Sequence, residues 1–142
     1  MIKSYTLVIL QLACAAFLMV NGRILPENIF LLIAEILLCC IGLWSALLMN
    51  KYFSILPEPA KSAVLIQTGP YKYIRHPIYT VVILLGVIWI AEKISVVNIV
   101  VLIILITILI VKLNYEEKLL LEKFAAYKDY KLKTKKLIPF IY

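Results

Sequence analysis

The chain has 142 residues, 64% of them hydrophobic, with a net charge of +7 and a mean hydropathy of +1.00. Soluble domains use roughly 45–50% apolar residues, so a water-soluble fold of this size could not hide so much apolar surface and the bilayer must solvate part of it. That sets aside nucleic-acid binding and excludes a soluble Rossmann domain. The basic excess belongs instead on loops facing anionic headgroups.

A membrane helix needs roughly 20 apolar residues, so this length allows about four. Helix is the only sensible assignment, because backbone polar groups in hydrocarbon must pair within their own segment. The first apolar run covers about Tyr5–Val20, after Lys3. No small-x-small cleavage site ends it, and Leu12-Ala13-Cys14 resembles a lipoprotein signal only weakly, so residue 1 is expected to stay in the mature protein. Asn21-Gly22 and Pro26 break the chain before a second run, about Ile29–Met49, which carries Glu35. The polar loop from Asn50 to Pro77 holds Pro57, Pro59, Gly69 and Pro70, which disfavour regular structure.

A third run, about Ile78–Ala91, and a fourth, about Val96–Leu113, are joined by the tight turn Glu92-Lys93-Ile94-Ser95 and predict an antiparallel hairpin. The first and third runs are short for a full span, as a tilted helix or one that reaches the interface would be. Beyond Leu113 the apolar residues Leu120, Phe124 and Tyr127 recur at helical spacing among charges. That pattern predicts an amphipathic helix continuing from the fourth run, at the membrane surface or over a site. The expected fold is all-α and integral to the membrane: about four transmembrane helices plus a C-terminal amphipathic helix, in one domain. Residues 1–49 form an N-terminal helix pair and residues 50–142 the core.

Positive charge sets the orientation. Lys3, Lys51, Lys61, Lys72, Arg75 and the eight lysines from Lys112 to Lys136 make thirteen on one side, against Arg23 and Lys93 on the other. Both termini and the motif loop are therefore expected in the cytoplasm of a bacterial or archaeal cell. Cys14, Cys39 and Cys40 lie in apolar runs without metal-ligand spacing, so they read as packing residues, and no metal site is expected.

The residues able to carry chemistry fall on that same side. Gly69-Pro70-Tyr71-Lys72-Tyr73-Ile74-Arg75-His76-Pro77-Ile78-Tyr79 holds the chain's single histidine beside an arginine. Pro77 suits the first position of a helix, whose free N–H groups and positive dipole end can hold a carboxylate. The bland alternative is that Arg75 and His76 mark only the boundary of the membrane. Glu116-Glu117 is the second candidate. Neighbouring helical residues point about 100° apart, so one carboxylate is expected to face inward while the other is solvated or pairs with Lys118 or Lys112. A solvated acidic turn is the alternative. Glu35, within an apolar run, reads as structural or as lining a substrate tunnel. Tyr71, Tyr73, Tyr115, Tyr127 and Tyr130 are expected in an interfacial aromatic belt, and Tyr79, one turn past His76, is the likeliest of the tyrosines to touch a ligand. The sequence carries no Gly-x-Gly-x-x-Gly, Walker loop, His-Glu-x-x-His or Ser-His-Asp set.

Two motif groups together resemble the isoprenylcysteine carboxyl methyltransferase family. One runs from Phe53-Ser54-Ile55-Leu56-Pro57-Glu58-Pro59 through Leu65-Ile66-Gln67-Thr68 to the Arg75-His76-Pro77-Ile78-Tyr79 box. The other is Glu116-Glu117-Lys118-Leu119-Leu120 with Phe124, Tyr127, Tyr130 and Leu137-Ile138-Pro139. Phospholipid N-methyltransferases are similar over the same stretch, and membrane sterol reductases more distantly so. Thr80-Val81 departs from the small or glycine-containing pair of many relatives.

The resemblance implies that residues 50–142 form the core of a membrane methyltransferase that binds S-adenosylmethionine. His76, Tyr79, Tyr73 and Glu116 or Glu117 would lie at the cofactor, with Arg75 and His76 catalytic. The implied partners are membrane lipids and a lipophilic small substrate from the bilayer, and the implied chemistry is O-methylation of a carboxylate. N-methylation of an amino-lipid, an NADPH-dependent reductase and a non-catalytic scaffold stay open as alternatives. The oligomeric state is not set by the sequence.

Overall fold

The computed structural model describes residues 2–50, 54–58, 63–139 and 141, with the side chains of residues 2 and 3 outside that set. The expectations placed on Lys51, Phe53, Pro59, Lys61 and the side chain of Lys3 lie outside the described residues. Five α-helices follow in order: α1 (Ile2–Asn21), α2 (Ile29–Met49), α3 (Pro77–Ala91), α4 (Val96–Lys123) and α5 (Tyr127–Lys133). A one-turn 3-10 helix, Gly69–Lys72, precedes α3. Helices α1, α2 and α4 are long and apolar enough to cross a membrane, and α3 is a shorter apolar helix.

Local chemistry explains the helix ends. Asn28 caps α2, its side chain accepting from the N–H groups of Phe30 and Leu31, and Ser95 caps α4 by accepting from Asn98. Pro77 opens α3, where its missing N–H costs nothing. Gly69 sits at φ +58°, and a side chain there would press 2.6 Å from Leu48 Cδ1, so the 3-10 turn can pack closely on α2.

The helices alternate in direction. At one end Arg23 N donates to Trp89 O (2.7 Å), and Glu92 accepts from the N–H groups of Glu27 (2.9 Å) and Asn28 (2.7 Å). This gathers the end of α1, the start of α2 and the end of α3. Gly22 allows the close approach, since a Cβ there would lie 2.4 Å from Trp89 O. At the opposite end Ser4 Oγ donates to Glu58, and Tyr71 Oη donates to Ser45 O (3.4 Å). The core is a buried cluster of Leu18, Trp89, Ile90, Leu105 and Leu109 joining α1, α3 and α4. Helix α2 packs on α3 through Gly42 against Val81 and is otherwise the least buried of the long helices.

Length differences position the site. At about 1.5 Å per residue, α3 spans about 22 Å and α4 about 42 Å, against a hydrocarbon core of about 30 Å. The start of α3 therefore cannot reach the headgroups if its other end does, and His76 sits low in the bundle beside α4.

Two sequence expectations need correction, and a third is narrowed. The amphipathic extension is not one helix: α4 stops at Lys123, Phe124 adopts an extended conformation, and α5 restarts at Tyr127. Cys14 packs on the core, but Cys39 and Cys40 face outward on α2, because that helix has neighbours on one side only. Of the two readings of Glu35, the structural one fits: it accepts a hydrogen bond from Trp89 Nε1 (2.8 Å), which ties α2 to α3 at the end away from the motif loop.

Candidate active site

The tail after α5 folds back along the motif loop. Ile74 and Lys135 form a parallel bridge, Arg75 N donates to Lys135 O (2.8 Å), His76 N donates to Lys136 O (3.1 Å), and Thr80 Oγ1 donates to Leu137 O (2.8 Å). This strap fixes the backbone that presents Arg75 and His76 to α4.

Arg75 is buried there, with its Nε and Nη1 both engaged. Its Nε donates to Glu117 Oε1 (2.6 Å) and its Nη1 to the carbonyl of Thr134 (2.5 Å). Glu117 also meets Lys131 Nζ at 3.4 Å. A charge-assisted pair this short, in a site from which water is excluded, is a structural lock. Its guanidinium holds Glu117 and the strap, and the residue also lines the cavity described below.

His76 lies between the two glutamates. Its Nδ1 is 3.8 Å from Glu116 Oε2 and its Nε2 is 3.5 Å from Glu117 Oε1, while its ring stacks on Tyr79 at 5.3 Å and 8°. Tyr79 Oη donates to Glu116 Oε2 (2.7 Å). Only one carboxylate was expected to face inward, yet both converge on the same ring, because His76 enters the angle between their two directions. Their tasks differ. Glu116 lines a cavity, while Glu117 stands behind His76 on Arg75.

That cavity is walled by α1 (Gln11), α3 and the residue that caps it (Tyr79, His76), α4 (Lys112, Glu116), α5 (Tyr127, Tyr130), the 3-10 turn (Tyr71) and loop residues including Glu58 and Ile66. The sequence reading missed several of these. Tyr71, Tyr127 and Tyr130 are buried in the wall rather than standing in an interfacial belt, because the strap and α5 press the 3-10 turn inward; Tyr130 Oη donates to Tyr71 O (2.6 Å). Burial pushes all three phenols well above the usual tyrosine value, so they stay neutral donors. Tyr73, expected at the cofactor, points the other way: it is 53% exposed, since the 3-10 turn sends Tyr71 in and Tyr73 out. Lys112, counted among the headgroup-facing lysines, is 1% exposed, and its Nζ donates to Gln11 Oε1 (2.8 Å).

Two buried polar atoms on residues of the cavity wall make no hydrogen bond: Tyr127 Oη, and His76 Nε2, which faces Glu117 on the far side of the ring. Such atoms are costly to bury unmatched, so a polar ligand is the natural complement of the Tyr127 hydroxyl.

The sequence model of the isoprenylcysteine carboxyl methyltransferase family matches residues 28–122. The chain belongs to that family. The match takes in the Arg75–Tyr79 box and the Glu116-Glu117 pair, and it leaves α1 and α5 outside. No curated protein matches the sequence. Its apolar helices and its membership in a family of membrane methyltransferases make the protein an integral membrane protein.

Proposed function

We propose that the protein is an S-adenosylmethionine-dependent methyltransferase that O-methylates a carboxylate on a lipophilic, isoprenylcysteine-like small molecule drawn from the bilayer. The observation that carries this reading is the convergence of Glu116, His76 and Tyr79 on one cavity whose wall also holds Tyr127, with its Oη unpartnered. These residues fit the cofactor's methionine part: Glu116 suits its ammonium, and His76 with the start of α3 suits its carboxylate. When bound, the cofactor supplies a methyl group activated on a sulfonium.

The task left to the chain is chiefly alignment. Tyr79 holds Glu116, and the Arg75–Glu117 lock and the strap hold the His76 backbone. Leu120, Phe124 and Ile78 add apolar wall, which excludes water and favours a reaction in which opposite charges are neutralised. A carboxylate acceptor is already anionic at neutral pH, so no residue need remove a proton. That suits a wall whose carboxylates are already engaged, Glu116 by Tyr79 and Glu58 by Ser4, and whose phenols keep their protons. We place the site and both termini in the cytoplasm, where the cofactor is made, with the acceptor entering sideways between helices.

N-methylation of an amino-lipid is the second reading. Both are tested by giving the purified protein S-adenosylmethionine with a labelled methyl group and a lipid extract. A base-labile product is expected, as a methyl ester is; a base-stable product supports the amine. Binding of NADPH in place of S-adenosylmethionine would mark a reductase, and binding of neither a scaffold.

A further inference from the structure

Lys112 has no role in the mechanism above, although it is among the most completely buried side chains of the protein. Its Nζ donates to Gln11 Oε1 and lies 5.2 Å from the centre of the Tyr79 ring. Among the described residues no carboxylate forms an ion pair with it, and Glu116, one turn further along α4, is held by Tyr79. A buried cation inside a membrane bundle is costly unless an anion meets it. Gln11 takes one of the three ammonium N–H groups, and the side chain lines the cavity.

Two features separate this corner from the cofactor end. Lys112 lies about 6 Å deeper in the bundle than Glu116, at about 1.5 Å per helical residue, so it is nearer the bilayer interior from which an apolar acceptor comes. Its partner Gln11 belongs to α1, outside the stretch that matches the family. Lys112 itself lies within that stretch, so the pair joins the matched core to a helix outside it.

Resting on the methyltransferase reading, we propose that Lys112, oriented by Gln11, is the specificity-determining residue of the site. Its ammonium receives the anionic group of the acceptor and turns away a protonated amine. The pair acts on binding and position only, and no proton leaves Lys112.

The test uses the full chain in detergent, with S-adenosylmethionine, a lipophilic carboxylate (N-acetyl-S-farnesylcysteine) and a lipophilic amine (phosphatidylethanolamine). In Lys112→Met the KM for the carboxylate should rise about ten- to hundredfold, the loss expected for a hydrogen bond to a charged group. Its Kd for S-adenosylmethionine should stay within about threefold, which also shows that the variant is folded. Lys112→Arg should keep most of the carboxylate preference, and Gln11→Leu should raise KM in the same direction by a smaller factor. An unchanged KM in Lys112→Met overturns the proposal. So does weaker binding of S-adenosylmethionine with unchanged binding of its decarboxylated analogue, which would give Lys112 to the cofactor's own carboxylate. If Lys112→Met does not fold, Gln11→Leu decides, and an unchanged KM there overturns it as well. Failure of the underlying reading is separately visible, because wild-type protein would then bind no S-adenosylmethionine.

Discussion

The two ends of the bundle use the same kinds of charge in opposite ways. At the far end, Arg23 pairs with Glu27 at 2.5 Å and approaches Glu92 at 3.6 Å, and Arg23 and Glu27 are 44% and 80% exposed. At the motif end, Arg75 and Glu117 are about as close, at 2.6 Å, but are 6% and 5% exposed. An exposed pair contributes little and costs little, whereas a buried one is expensive to form and worse to break. Glu92 works as backbone glue at the start of α2, while Glu117 braces the residue that faces the cavity. Ionic groups crowded into a membrane bundle around one cavity indicate a site; the same groups in water indicate a boundary.

Breaking the buried lock should give the largest effect. Glu117→Ala or Arg75→Ala is expected to destabilise the protein by about 3–5 kcal/mol, since each removes the main counter-charge of a buried ion. Thermal unfolding in detergent measures this, and the double variant Arg75→Met/Glu117→Leu should lose less than the sum of the single changes. A small, additive loss would mean that the two ends do not differ.

His76→Ala should act next, on ligand affinity rather than on stability. Losing a hydrogen bond to a charged group costs about 1.5–3 kcal/mol, so the Kd for S-adenosylmethionine should rise about ten- to hundredfold or slightly more. Tyr127→Phe removes a hydroxyl that has no partner in the protein. It should leave the melting temperature unchanged or slightly raised and weaken cofactor binding about three- to tenfold, as for a neutral hydrogen bond.

The far end should respond least. Arg23→Ala should cost less than about 1 kcal/mol and leave methyl transfer intact. Glu92 sharpens the contrast through pH. The N–H groups of Asn28 and Glu27, with a smaller contribution from Arg23, hold its carboxyl below the reference value of 4.5. A lowered folded-state value means that the unfolded chain binds the proton first. The stability from Glu92 is thus present above pH 4.5 and is lost as pH falls through the lower folded value. Glu92→Gln should flatten the fall in melting temperature below pH 4.5 without altering ligand binding.

What could be read in the sequence was what depends on local order. The bounds of α2, the Glu92–Ser95 turn and Pro77 at the head of α3 follow from apolar length, caps and proline chemistry, and the structure places them as expected. The residues missed in the site are those delivered by the strap and by α1. Lys112 lies inside the fourth apolar run, unlike the lysines after it, but its partner Gln11, a hundred and one positions away, is brought to it only by the fold. The break after α4 had no local signal either, because Ala125 and Ala126 are good helix formers. It is imposed by the return of the tail to the motif loop. Tyr71 and Tyr73 show the same limit, two similar residues sorted to inside and outside by a single 3-10 turn.

The most direct test of the buried end as a cofactor cradle is equilibrium binding of S-adenosylmethionine to wild type, Arg23→Ala and His76→Ala in one detergent, with melting temperatures recorded alongside. Wild type and Arg23→Ala should bind alike, while His76→Ala should bind at least about tenfold more weakly at a nearly unchanged melting temperature. Equal binding by all three, or none by wild type, would contradict it.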